Sequence, residues 1–412
     1  MSSVVERFLN YVTYDTRADE KAGKTPSSPG QMDLALEVEK EMSELGMVNI
    51  SVDKHAYVMG TLPANTKEQG IPSIGLIAHL DTSPEISGAT RPRIIENYDG
   101  GDILLNAEEK VVLSPSNFPD LVDYKGQDII VTDGISLLGA DDKAGMAIAM
   151  SAVEYLVRHP EVKHGPVKIC FTPDEEIGHQ ARMLDLEKFG ADFAYTIDGG
   201  PLGDLNYETF NAAKAEIIIK GKNIHPGRAK DKMVNSIMIA MELASMLPED
   251  EIPAKTEKRE GFYHIISFNG DVENTKMKYI IRDHDLELFE RRKQTISWII
   301  SKLQEKYDED TLELIMEDQY YNMADQLKKS MHIVEAAVKA MEALGIKPDI
   351  APIRGGTDGS SLSQRGLPTP NLFTGGNNFH GRFEFLPIPS LERGVDVVIK
   401  IIQLYGCGGD MK

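Results

Sequence analysis

Short apolar runs that end in acids or imidazoles, alternating with helical patterns, constrain this chain more than any other feature. Residues 73–80 (SIGLIAHL) are mostly apolar, as a strand buried on both faces must be, and His79, Asp81, Thr82 and Ser83 cluster at the C-terminal end of the run. Residues 135–138 lead as a strand into GADDKAG (139–145), after which an apolar helix continues to Leu156. A strand over 167–171 is broken by Pro173 and followed by Glu175 and Glu176, and another over 193–197 ends at Asp198. Strands alternating with amphipathic helices predict a sheet of the α/β type, with the acids at its strand ends.

At 412 residues the chain is too long for one core, and about 150 residues per domain suggests two or three domains. Helices are expected around 4–11 and over 29–46, the second opened by Pro29. Residues 84–132 form a Gly/Pro/Asp-punctuated excursion with short β pieces at 110–113 and 128–131. Between 212 and 323 the pattern changes to strand 215–220, helix 231–247, strands 263–269 and 278–282, helix 285–305 and strand 312–317. That β-α-β-β-α-β order matches a ferredoxin-like α+β sandwich, inserted into the first domain. The chain therefore divides into 1–211, 212–323 and 324–412, the last part resuming the α/β pattern with helix 331–344, strands 349–353 and 371–373, and helix 391–405.

Forty-four Lys and Arg against 65 Asp and Glu leave a net charge of -21, a surface that repels phosphate backbones and anionic lipid. Neither nucleic acid nor membrane is an expected partner. Two cysteines, Cys170 and Cys407, are too few for a disulfide scaffold and fit a reducing compartment. No apolar run approaches the roughly 20 residues of a membrane span, and the N-terminus lacks a basic region followed by an apolar stretch. The expectation is a soluble cytoplasmic protein.

A single strand-end Asp is usually a turn residue, and a single His a satisfied polar group. Placement changes that reading here. His79, Asp81, Asp141, Glu175, Glu176, Asp198 and His380 all follow apolar strands or sit in glycine-flanked turns, and in open α/β sheets sites gather at the carboxyl ends of strands. Two His and several carboxylates form a ligand set suited to zinc, with manganese or cobalt as alternatives. Ions roughly 3.5–4 Å apart need a carboxylate that bridges them. Asp141 at the head of a helix is the expected bridge, with His79 and Asp198 completing one ion and Glu176 and His380 the other. Asp81, two residues from His79 on an extended chain, is expected to accept the imidazole's other N–H. Glu175, beside a ligand, is the expected general base.

HLD (79–81), GADDKAG (139–145), PDEEIG (173–178), TIDGG (196–200), IHPGRAK (224–230), YIIRDHD (279–285), IRGGTDGSSLS (353–363) and FTGGNNFHG (373–381) together resemble the peptidase T family, the tripeptide aminopeptidases of the dinuclear zinc exopeptidase superfamily. The resemblance extends from the first helix to the last, with the motifs in order. The resemblance implies a catalytic α/β domain with a mixed, largely parallel sheet flanked by helices, an inserted ferredoxin-like lid or dimerisation-type domain, and two zinc ions per subunit. It implies release of the N-terminal residue from tripeptides by water activated at the two ions, with short peptides as partners and a homodimer left open. It further implies that His225 approaches the scissile carbonyl, within its own subunit or across a dimer, that Arg282 and Arg354 hold the substrate's carboxylate, and that the peptide between Asp141 and Asp142 is cis. His284 and Asn377 depart from the family pattern and bear on side-chain preference.

Related amidohydrolases (deacylases, dipeptidases, carboxypeptidases) share the metal ligands and differ in the pocket, so they stand as the alternative. A catalytically inert metal-binding scaffold would be expected to lack Glu175 or the bridge, and both are present. Phosphoryl-ester hydrolysis lacks its Gly-rich phosphate loop.

Overall fold

The computed structural model describes residues 3–86, 90–178 and 181–406. The chain forms two compact units, one of Met1–Tyr207, Asp325–Ala351 and Thr357–Lys412, the other of Glu208–Ala324 and Pro352–Gly356. The short segment Pro352–Gly356 joins the second unit through main-chain hydrogen bonds, Ile353 N–H to the Glu208 carbonyl at 2.9 Å and Phe210 N–H to the Gly355 carbonyl at 3.2 Å.

In the first unit an eight-stranded mixed sheet has the spatial order Val48–Val52, Val58–Leu62, Val167–Thr172, Ile74–His79, Phe193–Gly199, Asn371–Phe373, Asp204–Asn206 and Asp349–Ile350. The four central strands, from Val167–Thr172 to Asn371–Phe373, run parallel. Ile74–His79 is buried along its whole length, which accounts for its continuous apolar sequence. Helix Ala140–Arg158 is buried on every side over residues 140–154 and packs against this sheet and against helices Ser3–Tyr11 and Ile388–Gly406. Its alanines and Gly145 permit that closeness: a Cβ at Gly145 would lie 1.9 Å from the carbonyl oxygen of Ile197.

The excursion over 84–132 carries a separate small core around Tyr98, Leu113, Leu121 and Phe385, with Ile129–Val131 paired between Arg93–Ile95 and Phe385–Pro387. The strand expected over 135–138 does not form. The Asp133 carboxylate accepts the N–H groups of Ile135 (3.0 Å) and Ser136 (2.9 Å), so those donors close a turn and are lost to a ladder.

The second unit is a four-stranded antiparallel sheet ordered Phe262–Gly270, Asn274–Asp283, Asn211–Lys220, Leu312–Tyr320, with helices Ser236–Met246 and Leu286–Tyr307. This is the ferredoxin-like arrangement. Ile217, Ile219, Met277, Ile281, Phe289 and Leu303 are among its core residues. Its first helix starts later than the 231 expected, because Asn235 caps it by accepting the Ile237 N–H. Among the described residues no helix is long and apolar enough to cross a membrane.

Candidate metal centre

Adjacent parallel strands deliver the site from their carboxyl ends. Ile74–His79 ends in His79 itself, Val167–Thr172 leads into the turn bearing Glu175 and Glu176, and Phe193–Gly199 places Asp198 one residue from its end. Asn371–Phe373 leads into the loop that carries His380, where Asn378 (φ 57°) and His380 (φ 59°) adopt the left-handed backbone that non-glycine residues seldom enter. Asp141 enters from the head of helix Ala140–Arg158, after Gly139 at φ 79°, and the Asp141–Asp142 peptide is cis.

The five expected ligands converge. His79 Nε2 lies 2.9 Å from Asp141 Oδ1 and 3.6 Å from Asp198 Oδ1. His380 Nε2 lies 3.2 Å from Asp141 Oδ2 and 3.0 Å from Glu176 Oε2. Two donor groups result, His79 with Asp141 and Asp198, and Asp141 with Glu176 and His380. Asp141 belongs to both and offers a different oxygen to each. His79 Nδ1 lies 3.0 Å from the Asp81 main-chain carbonyl, which accepts a ring proton there, so Nε2 is the ring atom that faces the carboxylates.

The electrostatics are those of a site that needs positive charge. Burial and the neighbouring Asp141 charge push Glu176 up to about 7 and Asp198 up to about 6. Burial opposes it, yet the His380 and His79 imidazoles hold Asp141 well below the usual carboxylate range. Hydrogen bonds to Asp141 and Glu176 raise His380 to about 11. Glu176 Oε1 is buried without a hydrogen-bond partner. A crowd of carboxylates that cannot all ionise together, with one oxygen unpaired, fits a divalent cation better than it fits protons.

The Asp81 carboxylate, expected to accept the imidazole's other N–H, also serves the glutamate turn. Its oxygens accept the N–H groups of Glu175 (3.0 Å) and Glu176 (3.1 Å), the unpaired donors that open the short turn Glu175–Ile177, while Oδ1 stays 3.4 Å from His79 Nδ1. Asp81 therefore holds the glutamate turn, while both its main-chain carbonyl and its Oδ1 face His79 Nδ1. Glu175 belongs to neither donor group. Burial pushes its carboxyl well above the ordinary value, with Asp198, Asp358 and Glu176 adding and His79 opposing.

Some supporting residues went unread in the sequence. Asp142 Oδ2 accepts the His79 N–H at 3.0 Å, and Asn371 Oδ1 accepts the Asp198 N–H at 3.1 Å. Glu384, fully buried, accepts the N–H groups of Gly139 (2.8 Å) and Asp141 (3.2 Å) and so ties the His380 loop to the turn that presents Asp141. Asp142 lies inside GADDKAG and Glu384 four residues after His380, so proximity to a ligand was the available signal.

The remaining three expected residues belong to the second unit. His225 is exposed, and its Nδ1 accepts the Gly227 N–H at 3.2 Å, which leaves the ring proton on Nε2. Arg282 donates to the carbonyls of Ala213 (3.1 Å) and Ile281 (3.0 Å) beside the Tyr320 ring, and burial lowers its guanidinium from the ordinary value. Arg354 lies over Phe210 and Phe262 and donates to the carbonyls of Lys258 (2.8 Å) and Glu260 (3.0 Å) and to the Thr256 hydroxyl (2.9 Å). Neither arginine makes an ion pair among the described residues, so a surface salt bridge explains neither. His284 packs against Phe210 and faces the Ile353 carbonyl at 3.1 Å, and Asn377 accepts the Tyr124 hydroxyl at 3.1 Å.

A mixed α/β sheet with a ferredoxin-like insertion, carrying two three-donor groups that share one aspartate, defines a class of metal-dependent hydrolases, and the comparisons narrow it. The family model described as Peptidase family M20/M25/M40 matches residues 132–404. The chain is 57% identical over 406 residues to peptidase T of Clostridium novyi, covering 98% of this chain and 100% of the relative. It is 56% identical over 410 residues to peptidase T of Caldanaerobacter subterraneus, covering 99% and 100%. Among solved structures, aminopeptidase PepT from Bacillus cereus matches in fold with a TM-score of 0.77 at 24% identity, covering 98% of each chain. The chain belongs to peptidase family M20/M25/M40 and, within it, to the peptidase T group.

Proposed function

We propose that this chain is a zinc-dependent aminopeptidase that releases the N-terminal residue from tripeptides. The division of the Asp141 oxygens between His79 at 2.9 Å and His380 at 3.2 Å carries the reading, since each side is completed by one further carboxylate. His79, Asp141 and Asp198 would hold one ion, and Asp141, Glu176 and His380 the other. Two imidazoles among oxygen donors suit zinc, and cobalt or manganese would substitute. Ions held there supply the charge that polarises a carbonyl and makes water more acidic.

The chain's own groups do the rest. Glu175, free of both donor groups and raised well above the ordinary carboxyl value by burial, takes a proton from the attacking water and delivers it to the leaving amine. Asp81 fixes the main chain of that glutamate. His225, with its proton on Nε2, donates to the oxygen that gains charge as the carbonyl is attacked. Arg282 and Arg354, without acid partners of their own, pair with the substrate's C-terminal carboxylate. The peptidase T relatives support release from the N-terminus.

The test is a panel of free, N-acetylated and C-amidated peptides of two to four residues. Unblocked tripeptides should be cleaved fastest, because arginine–carboxylate pairing measures length from the scissile bond and one residue more or less breaks the match. Faster hydrolysis of acetylated amino acids would move the chain to the deacylases, and cleavage from the C-terminus to the carboxypeptidases.

A further inference from the structure

The turn that carries Glu175 and Glu176 is entered through an unusual residue. Asp174 has φ 58° and ψ 31°, left-handed backbone at a non-glycine position, directly before the short turn Glu175–Ile177. Such a conformation persists where the surroundings hold it. Its torsions set the direction in which the main chain of Glu175 departs.

The hold comes from the start of helix Pro29–Glu44, far away in sequence. Both Asp174 carboxylate oxygens accept the Ser27 N–H at 3.0 Å. Gln31 Nε2 donates to Asp174 Oδ1 at 2.8 Å, and Gln31 Oε1 accepts the main-chain N–H of Asp174 at 3.2 Å. One amide thus grips the side chain and the backbone of the same residue. Gln31 and Asp174 are both fully buried, so neither bond competes with water. Gln31 is itself oriented by the Ser27 and Ser28 hydroxyls, each 3.2 Å from Nε2. Asp81 holds the N–H groups of Glu175 and Glu176 from the neighbouring strand end, so the turn is clamped from both sides.

We propose that Gln31 is a positioning residue for Glu175: its side-chain amide locks Asp174 in the left-handed conformation that aims the general base. The inference rests on the reading of Glu175 as that base. Displacement of a reacting group by about 1 Å can cost on the order of 100-fold in rate. Loss of the lock is therefore expected in kcat, not in KM.

The experiment uses the full-length metal-loaded protein and the tripeptide best cleaved in the panel. Gln31→Glu keeps the shape, removes the donor and sets a carboxylate against Asp174. The expected result is a fall in kcat of at least about tenfold, KM within about threefold, unchanged metal content and a cooperative melt. Gln31→Glu combined with Asp174→Asn restores a donor facing an acceptor with the roles reversed, and asparagine tolerates left-handed backbone. This pair should recover most of kcat. Should Gln31→Glu not fold, Gln31→Met, which removes both hydrogen bonds at similar volume, takes its place with the same expected loss.

Wild-type kcat in the folded single variant, a change confined to KM, or a double variant no better than the single would overturn the proposal. Glu175→Gln is measured alongside. If it retains wild-type kcat, the assignment of the base fails; if it is inactive while the Gln31 variants are normal, only the role of Gln31 fails.

Discussion

The carboxylate of Asp81 accepts the main-chain N–H of Glu175 at 3.0 Å, with its second oxygen taking the N–H of Glu176 at 3.1 Å. A single side chain therefore sets where the proposed ligand and the proposed base leave the backbone. Asp81→Asn keeps the size but offers one acceptor oxygen, and its NH2 would face a main-chain N–H. Leaving a buried donor unpaired costs about 1–3 kcal/mol. We expect kcat to fall about tenfold or more, with weaker retention of the ion proposed at Glu176, read by steady-state kinetics and metal analysis on the same preparation. Unchanged kinetics would return Asp81 to a passive role.

Dialysis against a chelator should abolish activity, and zinc, cobalt or manganese should restore it. Elemental analysis of the restored protein should approach two ions per chain, because Asp141 serves two separate donor groups. Full activity in rigorously metal-free protein would end the metal reading.

Glu175→Gln should lower kcat by about 100-fold or more while metal content stays near wild type, the usual scale for losing a general base. Glu176→Gln should instead lower metal content, since Glu176 Oε2 lies 3.0 Å from His380 Nε2 within a donor group. Equal metal loss in the two variants would contradict the division of labour between these neighbours.

Gly145→Ala tests how Asp141, the proposed bridge, is held. The added Cβ would sit 1.9 Å from the Ile197 carbonyl and 2.4 Å from Asp142 Oδ1, so the helix head must move away from the strand that bears Asp198. Overpacking of this kind costs about 1–3 kcal/mol. A lower melting temperature together with reduced metal content is expected. A variant with wild-type melting and metal content would show that the helix has room that this packing denies it.

Much of the centre was readable because its residues are marked by their local chain. His79 ends an apolar run and Asp198 nearly ends another, and the period of the pattern places both at strand termini whatever the partners of those strands are. The inserted unit was readable for the same reason, since the order of its elements follows from local alternation. Element ends were less so: the strand predicted at 278–282 runs over Asn274–Asp283, because pairing with Asn211–Lys220 extends it.

What the amino-acid sequence determined by itself was the set of donors, their succession along the chain and the alternation that makes an α/β sheet, all properties of neighbouring residues. Only the tertiary structure decided how those donors are held. Gln31 meets Asp174 across 143 residues and Glu384 meets Gly139 across 245. Neither contact leaves a periodic trace, because one hydrogen bond between buried polar groups asks only for a donor and an acceptor. The task of Asp81 was decided in the same way. Two residues from His79 it stands within reach of the imidazole, 3.4 Å from Nδ1, and the turn after the adjacent strand brings to the same carboxylate two N–H groups that need a buried acceptor.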